Sequence, residues 1–188
     1  MKKVLIFIAD GTEEVEVITV VDYLRRADIE VDLVSVMEKK EITGAHNIKI
    51  VADKLIDEVK SQDYDAVYAP GGLPGAYHIR DNKTAISIFQ EMAEAQKITS
   101  ALCAAPIVLD EAGLLKDKDF TCYPGFEKNI GNGNHKEDIT VKDGKVLTGR
   151  GPAIAASLAF DLIEELVSKE KRVEVEEGTL FALLMEQK

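Results

Sequence analysis

Residues 98–106, Ile-Thr-Ser-Ala-Leu-Cys-Ala-Ala-Pro, run from a short apolar strand through Cys103 into the opening of a helix. Pro106 falls in the first turn of that helix, where a missing N–H sacrifices no hydrogen bond. The helix is predicted over Ala104–Ala112, with Gly113 ending it. Cys103 therefore occupies a strand-to-helix corner, the position that a nucleophile elbow exposes at the carboxyl edge of a parallel sheet. Free N–H groups and the helix dipole favour a thiolate there by about 0.3–1 kcal/mol, up to about 2 in a partly buried site. That is too little to ionise most of a thiol near neutral pH, so a reactive Cys103 needs a second partner at the same edge.

Outward from this joint, strand-length apolar segments occur at Val4–Ala9, Val31–Val36, Ala66–Ala69, Ile98–Leu102 and Val146–Leu147. Helical patterns at Glu13–Ala27, Lys83–Ala95 and Ala104–Ala112 fall between them. Alternation of this kind predicts a flavodoxin-like α/β sandwich, a mostly parallel sheet with helices on both faces. Pro152–Lys169 carries Ile154, Leu158, Leu162, Ile163 and Leu166 at helical spacing, and Leu180–Met185 reads as a short last helix. Two excursions read as hairpins, Glu41–Ala52 turning at Gly44–Asn47 and Ile139–Thr148 turning at Lys142–Gly144. The first helix has apolar residues around more than one face (Val15, Val17, Ile18, Val20, Val21, Leu24), which calls for a second packing partner. Another helix of the chain or a homodimer through this helix would supply it.

Composition narrows the function. A length of 188 residues with 46% hydrophobic content suits a single domain over residues 1–188. The formal net charge of −11 argues against nucleic acid or an anionic membrane as a partner. No apolar run reaches the roughly 18 residues that a span requires, and the N-terminal apolar run stops at Asp10, so a soluble, cytoplasmic protein without a signal peptide is expected. Two cysteines, Cys103 and Cys122, and three scattered histidines make neither a disulfide framework nor a four-ligand zinc site, and no metal or cofactor is expected. Cys122, His78 and His135 read as structural or surface residues, and Arg150 as a structural binder of carbonyls.

In a doubly wound sheet the loops at the carboxyl ends of the strands converge on the site. The first of these carries Asp10, Glu13, Glu14 and Glu16. Asp10, Glu13 and Glu14 suit solvated acids that offset a helix dipole. Glu16 shares a helical line with Val20, Tyr23 and Ala27, so its carboxyl is expected to be desolvated, raised in pKa and able to donate a hydrogen bond to a thiolate. The third loop, Pro70-Gly71-Gly72-Leu73-Pro74-Gly75, lets the backbone pass close to a bound group, and Gly72 with Ala104 is the candidate oxyanion hole. Pro74 removes the tight strand-to-helix turn of a dinucleotide loop, and a glycine pair is also the composition of a plain turn.

Four separated motifs, A-D-G-T-E-E-V-E, A-P-G-G-L-P-G-A, A-L-C-A-A-P and L-T-G-R-G-P, in this order resemble the DJ-1/ThiJ/PfpI superfamily from Val4 to about Leu166. With Ala104 in place of the histidine that follows the cysteine in peptidase-like members, the chain is more similar to the DJ-1/YajL branch. The resemblance implies that Cys103 is the oxidation-prone nucleophile, that Glu16 is its protonated carboxyl partner, and that Gly71, Gly72 and Ala104 line the oxyanion and substrate site. It further implies a pocket and dimer-seam role for Arg26, sets His46 where the branch has an arginine, and sets Tyr123 where it has a histidine near the cysteine. The activities implied are a glutathione-independent glyoxalase or deglycase acting on small aldehydes and dicarbonyls such as methylglyoxal, or a non-catalytic redox sensor or chaperone using the same cysteine. A glutamine amidotransferase is disfavoured by Ala105 and by the absence of a late His-x-Glu pair, and a peptidase by the absence of a triad histidine.

Overall fold

A strand whose residues are apolar on both faces must be covered on both, and Val4–Ala9 have no solvent exposure. The structure, a computed structural model, describes residues 1–186. In chain order its elements are β1 (Lys3–Ile8), α1 (Glu14–Arg26), β2 (Glu30–Ser35), β3 (Glu41–Thr43), β4 (Lys49–Val51), β5 (Lys54–Leu55), β6 (Ala66–Ala69), α2 (Gly75–Asp81) and α3 (Lys83–Glu94). There follow β7 (Ile98–Leu102), α4 (Pro106–Glu111), β8 (Asp119–Phe120), β9 (Asn134–His135), β10 (Thr140–Asp143), β11 (Val146–Gly149), α5 (Ala155–Leu166), α6 (Lys169–Gly178) and α7 (Phe181–Glu186).

The main sheet runs β10-β11-β7-β6-β1-β2-β5, parallel except for the edge strand β10. A single rung illustrates the register: Val4 pairs with Val31 on one side and Ala66 on the other, and Ala66 pairs with Ile98. The chain leaves β1 toward β2 and later returns to lay β6 on the other side of β1, so the direction of strand order reverses between β1 and β6. Crevices at such a reversal are where doubly wound sheets hold ligands. One helical layer contains α1 packed on α5, which also carries α6; the other contains α2, α3 and α4. Phe7 and Phe89 link β1 to α3, with ring centroids 5.9 Å apart.

The flavodoxin-like sandwich and its mostly parallel sheet agree with the sequence reading, and both hairpins form, as β3–β4 and β10–β11. Four points differ. Helix α2 was not expected, because its seven residues are too few to establish a period. The helix expected across Pro152–Lys169 ends at Leu166, since the Ser168 hydroxyl caps a new helix by accepting the Lys171 N–H at 3.2 Å. That helix, α6, has Val175 as its one buried residue and is held instead by Arg172, which reaches Asp161 and Glu164 on α5 at 2.9 Å. The elbow helix begins at Pro106 rather than Ala104, and Cys122, in a segment that reads as strand-like in the sequence, lies in a loop beyond the short β8.

Candidate active site

β7 delivers Cys103 to the carboxyl edge of the sheet beside the reversal point. Its N–H still belongs to the sheet, donating to the Gly149 carbonyl at 2.9 Å, while its φ of +63° is left-handed. A non-glycine residue held in that region is strained, as at other strand-to-helix elbows. The side chain is 9% exposed.

Glu16, in the first turn of α1, is fully buried against it. One carboxylate oxygen, Oε2, accepts the Gly71 N–H at 2.6 Å, and the other, Oε1, has no hydrogen-bond partner among the described residues. Burial pushes the carboxyl up to about 7, against the lowering influence of the Gly71 N–H and of Cys103. On the sulfur, burial comes first and the neighbouring Glu16 carboxyl second in raising the thiol well above its ordinary range, while the N–H groups of Ala104 and Gly72 pull it down. The thiolate-favouring end of α4 is thus outweighed by desolvation and by Glu16. Two acids together in a dry site resist losing both protons, so once one proton has left, the pair holds the second strongly.

The glycines explain how the loops approach so closely. A Cβ on Gly71 would lie 2.8 Å from Cys103 Cβ and 2.9 Å from Glu16 Oε2. Gly72, at φ +84°, leaves no room for a Cβ, which would sit 2.2 Å from the Glu13 nitrogen. Gly71, expected to line the substrate site, spends its N–H on Glu16; Gly72 and Ala104 are the donors aimed at the sulfur.

Tyr123 is brought beside the elbow: its N–H donates to the Cys103 carbonyl at 2.9 Å, and its ring, 49% exposed, lies against Gly151. Arg26 is not brought there. It stands ten residues beyond Glu16, about 15 Å along the helix at 1.5 Å per residue, and pairs with Asp22 at 2.7 Å. His46 sits in the β3–β4 turn and faces Glu14 through Nδ1 at 3.0 Å, which raises its pKa.

Glu14 corrects the expectation of a solvated acid. It is buried and accepts the backbone N–H groups of His46 at 2.8 Å and Ile48 at 3.3 Å, pinning the hairpin to α1. Asp10 does similar work, accepting from the Thr43 N–H at 2.8 Å and pairing with Lys39 at 2.8 Å. Arg150 binds the Glu137 carbonyl, as a structural residue should. His135 is half-buried rather than on the surface, with Nε2 fully enclosed. Cys122 is fully buried, which pushes its thiol up to about 11. Tyr68 escaped the sequence reading: buried in β6, its hydroxyl donates to the Glu16 carbonyl at 3.2 Å and holds the start of α1. A tyrosine inside an otherwise small and apolar strand was the available signal.

Open space at this edge is small. A hollow of about 180 Å³ borders Tyr123, Arg150 and Ile154, while a larger cleft of about 710 Å³ lies off β2 among Val36, Lys39, His78 and Asn82, without Cys103 in its wall. Neither space has Cys103 or Glu16 in its lining; the smaller one lies nearer the elbow, through Tyr123, whose N–H donates to the Cys103 carbonyl.

Comparison with known proteins agrees with this geometry. The profile of the DJ-1/PfpI family matches residues 2–165. Protein dj-1beta of Drosophila melanogaster is 34% identical over 183 residues, 96% of this chain and 98% of that protein. Protein DJ-1 homolog B of Arabidopsis thaliana is 32% identical over 95% of this chain, which spans only 41% of that longer protein. Among solved structures, oxidised DJ-1 of Toxoplasma gondii superposes with a TM-score of 0.91 at 33% identity, covering 96% of this chain and 98% of that one. Crystalline Drosophila DJ-1beta gives 0.92 at 33% identity, with 95% and 97% covered. A family match across most of the chain, a shared fold and relatives above 30% identity over nearly their whole length together place this chain in the DJ-1/PfpI family.

Proposed function

We propose that this protein converts small dicarbonyls, with methylglyoxal as the type substrate, into hydroxy acids without glutathione. The observation that carries the reading is Glu16, buried with its carboxyl raised to about 7, beside Cys103, toward whose sulfur the N–H groups of Gly72 and Ala104 are aimed. Loss of one proton from the pair gives the reacting form, Cys103 thiolate beside Glu16 acid; sulfur then adds to the aldehyde carbon and the oxyanion takes the proton from Glu16, giving a hemithioacetal. Glu16, now a carboxylate, removes the hydrogen from that carbon, and an enediol intermediate is reprotonated at the neighbouring carbon. The result is a thioester of lactate, which water cleaves to free the thiol. One carbon is oxidised and its neighbour reduced, so no external redox partner is required. Tyr123, adjacent to the elbow, offers a hydroxyl in place of an imidazole. Action in the cytoplasm, on carbonyl and oxidative stress, and as a homodimer seated on α1 completes the proposal.

A redox-sensing role is the second reading, favoured by two features: among the described residues no imidazole is paired with Cys103, and the Toxoplasma relative was solved in an oxidised form. A chaperone role would use the same cysteine. Lactate formation from methylglyoxal, followed in wild type, Cys103→Ser and Glu16→Gln, separates these. Turnover in wild type that both substitutions abolish is expected. Absence of turnover in wild type, with Cys103 the first residue oxidised by peroxide, would transfer the assignment to the sensor.

A further inference from the structure

Between α4 and the β10–β11 hairpin the chain makes a small excursion built from β8, a 3-10 turn at Phe126–Asn129 and β9. Three chemically distinct side chains meet inside it: Cys122 just beyond β8, Glu127 in the turn and His135 on β9. One ligand-type atom from each lies within 4.8 Å of those of the other two. Independently of that clustering, Glu127 Oε2 and His135 Nε2 are both enclosed, and neither has a hydrogen-bond partner among the described residues. An enclosed polar atom without a partner costs about 1–3 kcal/mol, and two at one place ask for a shared explanation. The imidazole is half-buried in a packed position. Its backbone is paired with Phe120 across β8–β9, and its ring lies 5.6 Å from the Phe120 ring.

We propose that Cys122, Glu127 and His135 form a binding site for a divalent cation of the zinc class. Sulfur, nitrogen and oxygen donors in equal number match zinc sites that use three protein ligands and leave the fourth position to water. Calcium and magnesium take oxygen donors and are poorly served by a thiol and an imidazole. Around a tetrahedral zinc, bond lengths of about 2.0–2.3 Å set donors about 3.3–3.6 Å apart, so the three groups need to close by at most roughly 1–1.5 Å. Thiolate and carboxylate together neutralise the ion's charge, which suits an enclosed position. The cation would tie the turn and β9 to the segment that follows the elbow, because Tyr123, next to Cys122, hydrogen-bonds the Cys103 carbonyl at 2.9 Å. Cys103 and Glu16 take no part, so the site stands whether or not the dicarbonyl reading does.

The full chain, stripped with chelator, is titrated with zinc chloride against a chromophoric competitor and with cobalt chloride read by absorbance. One ion per chain is expected in wild type and in Cys103→Ser, with a thiolate-to-cobalt charge-transfer band in both. Cys122→Ser should lose that band. Glu127→Gln and His135→Asn should weaken binding by more than the roughly 10–100-fold that loss of an outer-shell partner costs. Melting in excess chelator establishes that each variant folds, and if Cys122→Ser does not, the other two variants decide the question. Binding that disappears with Cys103 instead of Cys122, or wild type that takes up no stoichiometric metal because water satisfies the enclosed atoms, would overturn the assignment.

Discussion

With burial holding its carboxyl near a pKa of about 7, Glu16 keeps a proton in the folded chain over a range in which the unfolded chain, at its ordinary 4.5, has lost it. The folded state then binds more protons than the unfolded, and stability falls as pH rises from 4.5 through 7. The full difference is roughly 3 kcal/mol. Glu16→Gln keeps the shape and removes the titration, so this component of the pH dependence should vanish: the variant should gain on wild type between pH 5 and pH 8 in parallel urea melts. Equal slopes for the two proteins would mean that Glu16 is ionised in the fold. Gly71 sets the other limit at this scale. Its Cβ would meet Cys103, Glu16 and the Ala104 nitrogen at 2.8–3.0 Å, two of them on rigid backbone or at its first carbon. Gly71→Ala is expected to cost about 1–3 kcal/mol through overpacking and to lower methylglyoxal turnover at least tenfold, checked by melting and by lactate formation. Both residues were legible in the sequence, Glu16 by its apolar helical line and Gly71 by the glycine pair. The assignment of Gly71's N–H to Glu16 instead of substrate was not, because one-residue differences in where a loop points are decided by tertiary packing.

At the scale of elements, long periodic segments were readable and short ones were not. β1, α1, α3 and β7 carry enough residues to show a period, whereas β5, β8 and β9 are two residues each and exist only through their neighbours. Helices α2 and α6 are positioned by contacts that no apolar stripe announces; α6 depends on Arg172 and its three carboxylate partners. Caps are the exception, being local enough to read and to test. Asn82 Oδ1 accepts the Ala85 N–H at 3.0 Å at the start of α3, and its amide donates to the Val36 carbonyl at 3.3 Å, joining α3 to the end of β2. Asn82→Ala should destabilise the protein by about 1 kcal/mol. Asn82→Asp, which keeps the cap but loses the amide donor, should recover part of that. A null effect of the alanine in urea melts would assign the helix start to packing of Ala85 and Ile88 alone.

For the whole molecule, α1 joins the fold to the candidate site and offers the surface proposed for assembly. Its buried line, Val17, Val20, Val21 and Leu24, is satisfied within the chain by the sheet and α5, which removes part of the sequence argument for an external partner. Val15 and Ile18, three residues apart, remain 51% and 50% exposed beside Glu14 and Glu16, and no described element covers them. Placed on a seam, they would be buried by the same helix turn that carries the Glu16 carboxyl, so dimer formation would stiffen Glu16 from outside as Tyr68 does from within. Val15→Asp with Ile18→Lys should therefore give a folded monomer by sedimentation velocity at micromolar concentration, with lower turnover and an unchanged core. A dimer that persists in the double variant moves the seam elsewhere. A wild type that is already monomeric removes it, leaving Tyr68 and Gly71 as the supports that hold Glu16 against Cys103.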